Sequence, residues 1–243
     1  MKRKLPPITS EEIIRRRDEL FEALSKESDR GVVLISASFL EEALESLLRA
    51  RFSIRYPKSK SSINQLFDAF GPLSAFAAKL RICYAMDLIG GWVYRDLEIV
   101  RNLRNSFAHS VGFARFDLPE VVQLTKNLKA ADVAVTTITK KESSTKNTKT
   151  IKNAKKSRSK PTKMDMERLR FEMSVSFIGA LLYFLTRVLN SNASFHDKEN
   201  IIKFIRLKME NAKNKDSKIF NEPLKITEPL KIKDIIEELS YFE

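Results

Sequence analysis

Arg101, Arg104, Asn105 and His109 crowd into one short run, RNLRNSFAHS at 101–110. At helical spacing Arg101, Asn105 and His109 are i, i+4 and i+8 and form one stripe, with Arg104 beside Arg101 at i+3. Guanidiniums offer planar paired donors that match a phosphate. A histidine near neutral pH takes or gives a proton, so His109 could deprotonate a ribose 2′-hydroxyl. RNA cleavage by its own 2′-hydroxyl needs that group plus a cation for the pentavalent charge, and no metal. Two other readings compete. A histidine at a helix C-terminus complements the dipole and binds the last carbonyls, while the arginines can pair with Glu41, Glu42, Glu45 or, locally, Glu98. Alternatively the cluster is a contact surface for a regulatory protein. All three stay open on the residues alone.

The elements that must carry this cluster read as helices. Six glycines in 243 residues argue against a many-turned β-protein. Thr9 or Ser10 can cap a first helix, with Thr9-x-x-Glu12 as a capping box and Ile13, Ile14, Leu20, Phe21 and Leu24 as its apolar stripe. GVVLISASFLEEALESLLRARF follows Arg30 as a central helix, and INQLFDAF is a short one stopped by Gly71-Pro72. LSAFAAKLRICYAMDLI is expected to be helical up to Gly90-Gly91. WVYRDLEIVRNLRNSFAHS is the motif helix, with Val93, Leu97, Val100 and Phe107 facing inward. VGFARFD reads as a brief extended piece, LPEVVQLTKNL as a helix opened by Pro119, and ADVAVTTIT as strand-like. MDMERLRFEMSVSFIGALLYFLTRVLN completes the core, and KENIIKFIRLKMENAK is amphipathic and basic. His196 reads as a solvated cap residue. The tail carries a short repeat, EPLKIT then EPLKIK, before an acidic end. The expected core includes Leu40, Leu44, Leu47, Leu97, Val100, Phe107, Phe177 and Leu181.

The net charge of +13 is unevenly placed. Residues 140–163 hold ten Lys/Arg against one Glu, leaving only +4 on the other 219 residues. Such a tract, rich in Ser, Thr and Asn, cannot bury enough to order itself and reads as a flexible insertion. Its cations, among them Lys155, Lys156, Arg158 and Lys160, would hold RNA or DNA in a salt-sensitive, sequence-blind way. It contains no aromatic residue, so base stacking is excluded there. The single cysteine, Cys83, forbids an internal disulfide, fits a reducing compartment and reads as a buried inert thiol. The most membrane-like run, 173–186, has fourteen residues and is too short to span, so a buried helix is expected, with no membrane partner. The N-terminus passes straight from basic residues to proline and acids, without a signal-peptide pattern, and a cytoplasmic location is expected. There is no Cys/His metal cluster, P-loop, Gly-rich dinucleotide turn or G-x-S-x-G, so no cofactor and no metal are expected.

GPLSAFAAKLRICYAMDLI, YRDLEIVRNLRNSFAHS, RGVVLISASFLEEALESLLRA and the helix at 164–190 together resemble the mannitol-operon repressor-like (MtlR/MltR-like) family over roughly 12–190. The resemblance implies an all-helical fold and a regulator of transcription that lacks a DNA-reading helix-turn-helix. The basic insertion and everything after 190 depart from the family pattern. Arg104, Asn105 and His109 are also similar to the Arg-polar-x3-His motif of HEPN-type helical domains. In active members that motif belongs to a metal-independent ribonuclease, usually built across a dimer. The expectation is therefore an all-α bundle, with one helical domain at 1–128 and 164–190. A basic insertion occupies 129–163 and a helical C-terminal extension 191–243. The chain is expected to regulate gene expression through protein or nucleic-acid contacts, with a homodimer and a regulatory protein as partners. The alternative is a metal-independent endoribonuclease using Arg104 and His109.

Overall fold

The computed structural model describes residues 10–55, 59–109, 114–132, 163–191 and 194–211. Among these the chain is all-α, with no strand. Eight helices follow in order: α1 Ser10–Ser25, α2 Asp29–Arg55, α3 Lys60–Phe67, α4 Phe76–Ala85, α5 Gly91–His109, α6 Pro119–Lys126, α7 Lys163–Asn190 and α8 Phe195–Asn211.

α2 and α7 are the axis of the bundle. α2 packs on α7, α5, α4, α3 and α1, and α7 in turn touches α1, α6 and α8. Their close approach depends on Gly179. A Cβ there would lie 2.3 Å from the Phe39 ring, which instead rests on α7 and meets Tyr183 edge-on at 5.7 Å. All eight residues expected in the core are buried, from Leu40, Leu44 and Leu47 through Leu97, Val100 and Phe107 to Phe177 and Leu181. Cys83 is buried too, and burial pushes its thiol pKa up, away from thiolate chemistry. The stretch 166–190 of α7 is long and apolar enough to cross a membrane, longer than the fourteen residues legible as apolar. In its most apolar 18 residues 83% are buried among the other helices, so its apolarity has a partner inside the bundle.

Several local expectations change. α4 ends at Ala85, well before Gly90. The N–H groups of Asp87 and Leu88 bond back to Tyr84 O and Cys83 O at 3.0 Å, the double closure that ends helices in a left-handed residue. Here that residue is Asp87, at φ 57, with Arg206 of α8 on its carboxylate. Gly91 then begins α5 rather than ending α4. Residues 116–118 turn at the end of the piece expected to be extended, and 129–132 are helical, so the strand-like stretch expected at 131–139 starts in a helix; 111–113 and 133–139 lie outside the described residues. At the start of α8 the cap is Ser194, whose hydroxyl donates to Asp197 and accepts the Asp197 N–H, while His196 is merely exposed. α8 adds Ile201, Ile202 and Ile205 to the common core and is held by Arg51–Glu199. The Thr9 cap, most of the basic tract and the repeated tail lie outside the described residues.

Candidate functional site

α5 forms because apolar side chains recur every three or four residues, and Trp92, Val93, Leu97, Val100, Leu103 and Phe107 are buried on one face. That seating turns the opposite face outward. Arg104 and His109 are exposed, and Arg101 and Asn105 are half-buried. Arg104 Nη1 donates to Asn105 Oδ1 at 3.2 Å, so two of the motif residues touch directly. Arg101 Nη2 pairs with Glu98 Oε2 at 2.7 Å. Arg101 Nε and Glu98 Oε1 are buried without a hydrogen-bond partner among the described residues.

Of the pairings open to the arginines, the local one with Glu98 is formed and those with α2 are not. The α2 carboxylates are taken by other cations. Lys79 of α4 sits 2.9 Å from both Glu41 and Glu45, Arg49 bonds Glu45 at 2.8 Å, and Arg16 reaches Glu42 at 3.3 Å. Burial alone would push the Glu45 pKa up, but Lys79 and Arg49 outweigh it and hold it down. Lys79 is shifted up, its two carboxylates outweighing the burial that would lower it. Lys155, Lys156, Arg158 and Lys160 lie outside the described residues.

Sequence reasoning missed Asp96. It lies on the buried face of α5, and its carboxylate accepts the N–H groups of Lys129 at 3.1 Å and Ala130 at 2.8 Å. That cap is why 129–132 turns helically. Burial raises its pKa to about 6; Asp132 adds to the rise, while the two N–H groups and the Lys129 charge oppose it. The available signal was a carboxylate standing on an otherwise apolar stripe. Arg170 of α7 supports the same corner, donating to Thr125 O at 2.9 Å and Leu128 O at 3.1 Å and pairing with Asp132 at 2.7 Å. The Thr125 hydroxyl donates to Glu167 at 2.5 Å. Among the described residues no group of three His, Cys, Asp or Glu could hold a metal ion.

Because His109 is exposed at the end of α5, His109→Ala should change folding stability by less than about 1 kcal/mol, read from thermal melts by circular dichroism. A larger loss would make the cluster architectural.

A family model described as mannitol repressor matches residues 16–176. Among solved structures, the X-ray structure of the MtlR-HPr complex from Escherichia coli is similar, with 17% identity and a TM-score of 0.51, over 69% of this chain and 98% of that one. At that identity the likeness speaks for the fold. No curated protein matches the chain.

Proposed function

The chain belongs to the mannitol repressor family, and on that footing we propose that it is a cytoplasmic regulator of gene expression that works by binding a protein partner through its helical surface. One observation carries this reading. The end of α5 presents Arg104 and His109 to solvent with neither in an ion pair, while the apolar face of the helix is seated on the core. The Escherichia coli MtlR structure is a complex with HPr, which supports a protein of that kind as the partner. No helix-turn-helix is invoked. The test is calorimetric titration of the purified chain with HPr, wild type beside Arg104→Glu. Saturable binding that weakens at least about tenfold on charge reversal is expected. Absence of any binding by wild type sinks the HPr-type partner.

A second reading, the metal-independent endoribonuclease, is favoured by the direct Arg104–Asn105 contact and the exposure of His109 one helical turn beyond. Its measurement is incubation with mixed RNA in EDTA. Cleavage leaving 2′,3′-cyclic phosphate ends, and lost in His109→Ala, carries it; intact RNA removes it. The basic tract retains its proposed role as a sequence-blind hold on nucleic acid, through Lys155, Lys156, Arg158 and Lys160.

A further inference from the structure

Arg16, Arg49, Arg51, Arg168, Arg170 and Arg206 each hold a carboxylate. Arg81 on α4, with Arg95 and Arg104 on α5, are exposed and make no ion pair among the described residues. All three belong to one helical hairpin, whose arms pack together. The carboxylates near them in the chain are already engaged: Asp87 by Arg206, Glu98 by Arg101, and Asp96, buried on the inner face of α5, by the N–H groups of Lys129 and Ala130. The hairpin face therefore carries uncompensated positive charge.

An aromatic platform lies between these cations. Tyr84 and Tyr94 stack across the hairpin with ring centroids 4.7 Å apart and planes tilted by 34°. Tyr84 nevertheless stays 47% exposed, a large share for a ring in contact with another. The start of α5 joins platform and charge. A Cβ on Gly91 would lie 3.8 Å from Arg95 Nη2 and 3.9 Å from the Tyr84 hydroxyl, so guanidinium and phenol flank the same point. Arg81 precedes Tyr84 by one turn, so it flanks the ring from the other side to Arg95, whereas Arg104, nine residues beyond Arg95, projects from the opposite side of α5 and lies outside this strip.

We propose that this α4–α5 face binds single-stranded nucleic acid, with Tyr84 stacking on a base and Arg81 and Arg95 contacting phosphates on either side of it. Exposed guanidiniums on two packed helices, flanking one ring, match a repeating polyanion. An accessible ring beside them matches an unpaired base, because every base has a π-face. A protein partner fits this strip less well, since protein interfaces centre on a desolvated apolar core with few charges. A second copy would set arginines against arginines across a two-fold axis. The strip lies apart from the cations of the basic tract in the chain, and it adds the base contact which that tract's composition cannot make. The proposal is independent of the HPr-type partner, because the two are read by separate titrations.

The test is fluorescence anisotropy of the full chain with a labelled single-stranded RNA of about 12 nucleotides over a salt series, beside the same sequence as a duplex. Arg81→Glu with Arg95→Glu should weaken binding by about 100-fold. The same pair should flatten the log–log salt slope by about 1.4, at about 0.7 for each phosphate no longer neutralised. Tyr84→Ala should weaken binding by about tenfold or more, whereas Tyr84→Phe keeps the ring and should bind like wild type. The duplex should bind less tightly than the single strand. The arginine variants remove no ion pair, so their melting temperatures should match wild type and they decide the matter even if Tyr84→Ala unfolds. The proposal is overturned if the double charge reversal leaves affinity and slope unchanged. Loss of binding only when Lys155, Lys156, Arg158 and Lys160 are neutralised also overturns it. Equal binding of duplex and single strand with no effect of Tyr84→Ala removes the stacking assignment.

Discussion

Replacing Lys79 by methionine should destabilise the fold by about 3 kcal/mol, measured as a fall in ΔG of unfolding in urea at neutral pH. Lys79 is buried and lies 2.9 Å from Glu41 and 2.9 Å from Glu45. Methionine keeps most of the volume, so the loss is electrostatic. Two carboxylates would stay in a half-buried site without their shared cation, and removing one partner of a buried pair costs about 3–5 kcal/mol. The lower end applies because Glu45 retains Arg49 and both carboxylates keep some water. The pH dependence follows from the direction of each shift. The contribution of Glu45, whose pKa is lowered, is present above the ordinary value of 4.5 and is lost as pH falls through its lowered value. That of Lys79, whose pKa is raised, is present below the ordinary 10.5 and disappears as pH rises through its raised value. The penalty in Lys79→Met should thus be largest near neutrality and shrink in acid, where the stranded carboxylates protonate. Changing Glu41 and Glu45 to leucine together with Lys79→Met should recover most of the loss, because neither stranded carboxylate then remains and the half-exposed Arg49 keeps its bond to Asn64. An unchanged urea midpoint in Lys79→Met would show that the ion pair contributes nothing. This contact joins α4 to α2, so it also sets the position of the hairpin face.

Asp96→Asn should remove a pH dependence worth about 3 kcal/mol between pH 4 and pH 6. Burial raises Asp96 from 3.8 to about 6, so the folded state binds a proton that the unfolded chain has already released. The stabilisation is complete below 3.8 and is lost as pH rises through about 6. Above that value the fold carries a buried carboxylate whose only compensation, among the described residues, is the N–H groups of Lys129 and Ala130, the Lys129 charge and the more distant Arg170 on Asp132. Asparagine does not titrate and keeps one carbonyl for the cap. The difference in unfolding free energy between wild type and Asp96→Asn should therefore shift in favour of the variant as pH rises from about 4 to about 7. Taking the difference cancels every other titrating group. A flat difference across that window would mean that Asp96 is better solvated than its burial implies.

The amino-acid sequence alone determined which residues share a helix face. Helix periodicity is a local property, repeated every three or four residues, and it placed Leu40, Leu44, Leu47, Leu97, Val100 and Phe107 in the core. The same local rule put Arg101, Arg104, Asn105 and His109 together on the outward side of α5, and the motif runs sufficed to indicate the family. What only the tertiary structure decided is who partners whom. Glu41 and Glu45 went to Lys79 because α4 lies against α2, which left Arg104 without a carboxylate and Arg101 with its own neighbour Glu98. The end of α4 fell at Ala85 because Asp87 takes a left-handed conformation braced by Arg206 from α8, more than a hundred residues away. Asp96 became the cap of a segment that begins at Lys129 because α5 and that segment meet in the fold. Helix formation depends on neighbours within one turn, whereas ion pairs, caps and exposed charge depend on which helices touch. That choice is made by packing over long sequence separations, where no local pattern records it.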